Sequence, residues 1–255
     1  MKENKWQMKL VLGLTLLGAI GIIAIIPYEM ATLMDQQDVG GIPIELAIMI
    51  NKIVQILFLF VLVLFGVRFQ KRTGLSAPFL ESLIYERKLI PFSKQWLVIG
   101  IGVTFVLTSI TMLLENYVFV PVIETTESAP IWWHGLLASL YGGITEELMV
   151  RLFVMTFIVW LFAKLTKSKR NEIPKVVYYI AIILTALIFG LGHLPATIVV
   201  FGELTTLIVV RALVLNGLLG LWFGYLYYKK GLEYAMIAHF SANILMLFFF
   251  PLFMS

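Results

Sequence analysis

The stretch "WWHGLLASLYGGITEELMVRLFVMTFIVWLFA" (132–163) is apolar almost throughout, yet it carries Glu146, Glu147 and Arg151 at its centre. A bilayer core of about 30 Å needs about 20 helical residues at a rise of 1.5 Å each. This run is too long for one simple crossing. Gly142-Gly143 reads as a break, with a half-inserted segment before it, a true span after it, and an eighth crossing left open. Working outward, comparable apolar runs begin at Leu10 and lie at about 43–67, 97–114, 176–194, 204–228 and 232–253. The expectation is an all-α, polytopic transmembrane helix bundle of about seven spans, forming a single membrane-embedded domain over residues 1–255.

Composition agrees with that reading. The chain is 60% hydrophobic and 13% charged, with a mean hydropathy of +0.96, whereas soluble domains carry about 25% charged residues. The absence of cysteine excludes disulfides, thiolate metal sites, a cysteine nucleophile and lipidation through cysteine. The net charge of +4 suits anionic lipid headgroups and gives no reason to expect nucleic acid as a partner. The first apolar run exceeds a signal-peptide core and lacks a small-residue cleavage site, so it reads as an uncleaved span.

Charge alternates between the loops. Lys2, Lys5 and Lys9 precede the first run, six cations lie between Arg68 and Lys94, five between Lys164 and Lys175, and Lys229-Lys230 follow the sixth run. These are 16 of the 19 basic residues, all on one predicted side. The intervening loops carry Glu29, Asp35, Asp38, Glu115, Glu124, Glu127 and Glu203. The positive-inside rule then predicts a multi-pass protein of the cell membrane with a cytoplasmic N-terminus and an external C-terminus. The segment "APFLESLIYERKLIPF" (77–92) is amphipathic and is expected in the cytoplasmic interface.

Ionisable groups within a span cost at least about 2.5–3.5 kcal/mol at the helix centre, so they face protein or water and have partners. Glu147 and Arg151 are four apart, with the acid N-terminal, the better order for an ion pair. Glu146 is turned about 100° away, so Arg151 can neutralise Glu147 and leave Glu146 aimed elsewhere. A structural ion pair plus an incidental glutamate explains this stretch equally well by itself. "FGLGHLP" (189–195) adds His193 near the end of the fifth span, and "HFSAN" (239–243) puts His239 and Asn243 on one face of the seventh. A carboxylate, two imidazoles and an amide on three apolar helices supply what activation of water requires.

The motifs EExxxR (Glu146 to Arg151), FxxxH (Phe189 to His193) and HxxxN (His239 to Asn243) stand in that order on separate predicted spans. The chain here resembles the CPBP family of CAAX-prenyl-protease-2-like (Rce1-type) and bacteriocin-processing intramembrane endopeptidases, also called Abi-domain proteins. The resemblance covers a core of about residues 130–245. It implies an intramembrane endopeptidase acting on a peptide or a lipid-anchored protein at the bilayer. It also implies Glu146 as general base, His193 assisting, His239 and Asn243 at the oxyanion, and Glu147, Arg151 and Phe189 supporting. Glu146, His193 and His239 can also make up a His₂Glu zinc site, but HExxH is absent and asparagine is a poor zinc ligand, so no cofactor is favoured. A non-catalytic immunity or scaffold protein retaining the fold is the alternative. An ion-relay transporter would favour inverted repeats, and none is visible.

Other polar residues have plainer readings. Lys52 is expected to snorkel or to pair with a carboxylate, Arg211 to snorkel outward or cap a carbonyl, and His134 to belong to an aromatic interfacial belt. Gly217, Gly220 and Gly224 are expected to let helices approach closely. Counted along the spans, Glu146 and His193 lie far from the basic ends and His239 lies near one, so their depths disagree. A kink at Gly142-Gly143 and a cavity reached from the external half would reconcile them.

Overall fold

A computed structural model describes residues 2–32, 38–39, 41–119 and 132–249. Among the described residues, six helices are long and apolar enough to cross a membrane: α1 (Gln7–Ala31), α2 (Ile44–Thr73), α3 (Lys94–Phe119), α4 (Trp132–Leu165), α5 (Lys175–Ile198) and α6 (Thr206–Lys230). A shorter apolar helix, α7 (Leu232–Leu247), follows. Beside them is one two-residue antiparallel pairing, Asp38–Val39 with Ile42–Pro43. The all-α, polytopic bundle expected from the hydropathy is the observed architecture. Glu124 and Glu127, read as external-loop acids, and Asp35 lie outside the described residues.

Large apolar side chains such as Leu16, Met49, Val98 and Leu113 are more than half exposed. In water that surface would be costly, whereas in lipid it is the expected outer belt. Inside, α4 packs against α1, α2, α5 and α7, and α7 packs against α3, α4 and α6. A buried polar chain ties three helices together: Gln70 of α2 donates to the Tyr227 hydroxyl of α6 at 3.1 Å, and that hydroxyl lies 2.9 Å from Thr156 Oγ1 of α4. Hydrogen bonds of this kind hold membrane helices together where no hydrophobic force does.

The expected break at Gly142-Gly143 is absent. α4 is continuous, and Tyr141–Glu146 and Leu148–Met155 are wound in wide π turns. Such winding shortens the rise per residue, which lets one long helix serve where an eighth crossing had been left open. The two glycines instead allow α7 to approach. A Cβ on Gly142 would overlap the Asn243 amide nitrogen and lie 3.1 Å from His239 Nε2, and one on Gly143 would lie 2.6 Å from Phe240 Cβ. Gly220 and Gly224 similarly admit α5, where an added Cβ would lie 3.2 Å from Ala186 Cα and Ile182 Cγ2 respectively. Gly217 lies at ordinary contact distance.

The 77–92 segment forms a short helix, Pro78–Glu81, a π turn, Ser82–Glu86, and an irregular stretch. It is fastened to the start of α7. Leu232 N–H donates to Ser76 O at 3.0 Å, Leu80 N–H to Glu233 Oε1 at 2.8 Å, and Ser93 N–H to the Tyr234 hydroxyl at 2.7 Å. The start of α7 is thus held against the segment that joins α2 to α3.

Candidate active site

Pro195 sets the position of His193. Proline cannot continue the hydrogen-bond ladder, and His193 occupies the turn between Lys175–Gly192 and Leu194–Phe201. Its own N–H bonds tightly back to Gly190 O, which leaves Phe189 O open, and His193 Nδ1 lies 2.8 Å from that carbonyl. A donor is required there, so Nδ1 carries the proton and Nε2 remains an acceptor. His193 and Glu146 both line a cavity of about 630 Å³.

Glu147 is fully buried and contacts Arg151 Nε through Oε2 at 3.4 Å, as the spacing predicts. The pairing is coulombic rather than an aligned hydrogen bond, because Arg151 Nε and Nη1 and Glu147 Oε2 have no hydrogen-bond partner. Arg151 Nη2 donates to Gly220 O at 3.2 Å, and the guanidinium lies 5.1 Å from the Phe189 ring and 5.8 Å from the Phe223 ring. These contacts spread the cost of a buried cation over ion pair, carbonyl and ring faces.

The other oxygen of Glu147 has a role that the motif spacing did not reveal. Oε1 lies 2.9 Å from His239 Nδ1, while His239 Nε2 lies 3.6 Å from Glu146 Oε2. One glutamate fixes the imidazole and the other faces its free nitrogen. The Phe223 ring stacks on His239 at 4.5 Å, and Phe189 meets both His239 and His193 edge-on, at 5.5 and 4.6 Å. Whatever their distances along the helices from the basic ends, the structure brings Glu146, His193 and His239 to one place, with α4 wound in π turns there.

Glu146, His193, His239 and Asn243 all line a second cavity of about 270 Å³, which shares Glu146, His193, Tyr141, Phe189, Tyr28 and Ile25 with the larger one. Sequence reasoning missed Phe223, Asn216 and Glu29. Asn216 is an amide in an apolar run and lines the smaller cavity, a signal that was visible. Glu29 had been placed in an external loop, but it lines the larger cavity and pairs with Lys52 at 2.6 Å.

Arg211 does not snorkel. It grips Glu115 at the end of α3, with contacts of 2.6 to 3.0 Å. A bidentate carboxylate is a better partner than a single carbonyl for a guanidinium in low dielectric. His134 is buried, its Nδ1 has no hydrogen-bond partner, and its ring meets Trp133 edge-on at 4.0 Å.

Zinc takes three or four donors at about 2 Å from one point. Among the described residues no group of three His, Asp or Glu side chains is arranged to hold a metal ion. Glu146, His193 and His239 line one cavity, where Glu147 holds His239 Nδ1 and Glu146 Oε2 lies 3.6 Å from His239 Nε2.

No curated protein and no solved structure matches the chain. A family model does, over residues 128–245, and its description is "Type II CAAX prenyl endopeptidase Rce1-like". That interval contains the Glu146–Arg151, Phe189–His193 and His239–Asn243 motifs and the contacts among them, so the part of the chain that is similar to the type II CAAX prenyl endopeptidase Rce1-like family is the part that carries the site.

Proposed function

We propose that this multi-pass membrane protein is an intramembrane endopeptidase that hydrolyses a peptide bond in a membrane-associated peptide or lipid-anchored protein. The observation that carries the reading is convergence: one cavity is lined by Glu146 of α4, His193 of α5, and His239 and Asn243 of α7. A gap of 3.6 Å between Glu146 and His239 Nε2 is too long for a direct hydrogen bond, and both groups face the cavity, where a water beside the pair can contact both.

In this reading the Glu146 carboxylate takes a proton from that water as its oxygen attacks the carbonyl carbon. His193 Nε2, an acceptor, helps hold the water. The carbonyl oxygen becomes an oxyanion facing His239 and the Asn243 amide. Because Nδ1–H is committed to Glu147, His239 donates to the oxyanion only as the doubly protonated ring, whose charge Glu147 balances. The carbon–nitrogen bond then breaks, and the proton held by Glu146 passes to the leaving amine. No metal enters these steps.

The test is incubation of purified, reconstituted protein with membrane-tethered peptides, with products identified by mass. Wild type is expected to release two fragments whose masses sum to substrate plus water, and Glu146→Gln none. Unchanged cleavage by Glu146→Gln would remove Glu146 as the base. Elemental analysis of active, chelator-treated protein should find far less than one zinc per chain, and stoichiometric zinc tracking activity would recast Glu146, His193 and His239 as ligands.

A further inference from the structure

A second built feature lies at the opposite end of the bundle from this cavity. Between the ends of α2 and α4 is a cavity of about 460 Å³ lined by Lys71, Arg72, Lys164, Lys167, Lys169 and Arg170, with Ser168 and Ala163. Glu172 partners Lys169 at 3.7 Å. Cationic ends are common on membrane helices, but six cations around one hollow of headgroup size are a more specific arrangement.

The helix faces leading to it make the arrangement more specific still. On α4, Phe153, Phe157, Trp160 and Lys164 follow spacings of four, three and four, which is one stripe, and Lys167 follows in the turn just beyond the helix end. On α2, Phe65, Phe69 and Arg72 do the same. The two stripes meet: Phe69 stacks on Trp160 at 4.4 Å and approaches Phe157 at 5.6 Å and Phe153 at 6.4 Å, while Phe65 stacks on Phe69 at 6.0 Å. Phe65 is 42% exposed, so the aromatic seam opens to lipid. At its upper end the Lys164 ammonium sits 5.0 Å from the Trp160 ring centroid. An aromatic seam within the apolar layer thus turns, on both helices, directly into a cationic hollow at the headgroup level.

We infer that the α2–α4 seam is a binding site for one anionic phospholipid, its phosphate among Arg72, Lys164 and Lys167 and its acyl chains along Phe65, Phe69 and Phe157. Basic pockets between membrane helices are suited to anionic headgroups. The aromatic seam selects a lipid over a free phosphate, which has nothing to place there. The inference does not depend on the peptidase reading.

The test uses delipidated full-length protein in a neutral detergent, with phosphatidylglycerol, phosphatidylcholine or glycerol phosphate added separately. Retained lipid is counted by native mass spectrometry, and the thermal midpoint is measured alongside, since a ligand of the folded state raises it. Phosphatidylglycerol is expected to be retained at about one per chain and to raise the midpoint, and neither other compound is. The triple variant Arg72→Gln, Lys164→Gln, Lys167→Gln should weaken retention at least about tenfold. A charge-matched triple on the same side, Arg87→Gln, Lys88→Gln, Lys94→Gln, should leave it unchanged. Should the first triple fail to fold, the exposed single change Lys167→Gln gives the same reading at smaller amplitude. Equal retention of phosphatidylcholine, equal stabilisation by glycerol phosphate, or equal loss in both triples would overturn the assignment.

Discussion

Glu146 and Glu147 are neighbours in the chain with different tasks, and substitution should separate them. Glu147 is fully enclosed and touches both Arg151 and His239. Glu147→Gln should lower activity by releasing His239, and it should also lower stability. Breaking a buried ion pair on one side costs about 3–5 kcal/mol, so a clear fall in thermal midpoint is expected by differential scanning fluorimetry. Glu146 is partly exposed to the cavity, and Glu146→Gln should leave that midpoint near wild type. If the two variants melt alike, the division of roles is wrong. Gly142→Ala makes a third case. The new methyl overlaps Asn243 and crowds His239 Nε2, so activity should fall although no polar group has been removed. Activity equal to wild type would show that α7 does not need this close an approach.

At the scale of elements, the sequence disclosed faces more readily than ends. The pairing of Glu147 with Arg151, and the shared face of His239 and Asn243, followed from helical spacing and appear in the structure. The bond from Glu147 to His239 did not, because a contact between residues 92 apart is set by how α4 and α7 pack and leaves no local periodic trace. Gly142-Gly143 was misread for a related reason. Glycine permits both a break and a close approach, and the partner that decides between them, Phe240, lies on another helix. Arg211 and Glu115 were assigned separately to a span and a loop because their attraction depends on where α3 ends beside α6. This bidentate pair should be testable as an element-level clamp. Arg211→Gln should lower the thermal midpoint, and Glu115→Gln made in the same chain should add little further loss, since the second partner then has no charge to answer. Fully additive losses would argue against the pairing.

For the molecule as a whole, seven apolar helices and their charge asymmetry were legible in the sequence, whereas the placement of the cavity was not. Its lining comes from the ends of α1, α5 and α7 and the first halves of α4 and α6: Tyr28, His193, Asn243, Tyr141 and Asn216. Each of these lies away from the lysine- and arginine-rich ends of its helix. If those ends are cytoplasmic, the cavity belongs to the external half of the bundle. Ala196 is exposed and lines it, so Ala196→Cys in this cysteine-free chain should be labelled by an impermeant thiol reagent added outside intact cells. Labelling solely from the cytoplasmic face would reverse the orientation. The central claim is that three helices far apart in sequence build one hydrolytic centre. Its most direct test is the cleavage rate per folded molecule, measured in the same proteoliposomes for wild type and for Glu146→Gln, His193→Ala, His239→Ala and Asn243→Ala separately. The account predicts a loss of about 10²–10⁴-fold for Glu146→Gln and a substantial loss for each of the other three, all with thermal midpoints that show a folded protein. A folded Glu146→Gln protein that cleaves within a few-fold of wild type would contradict it.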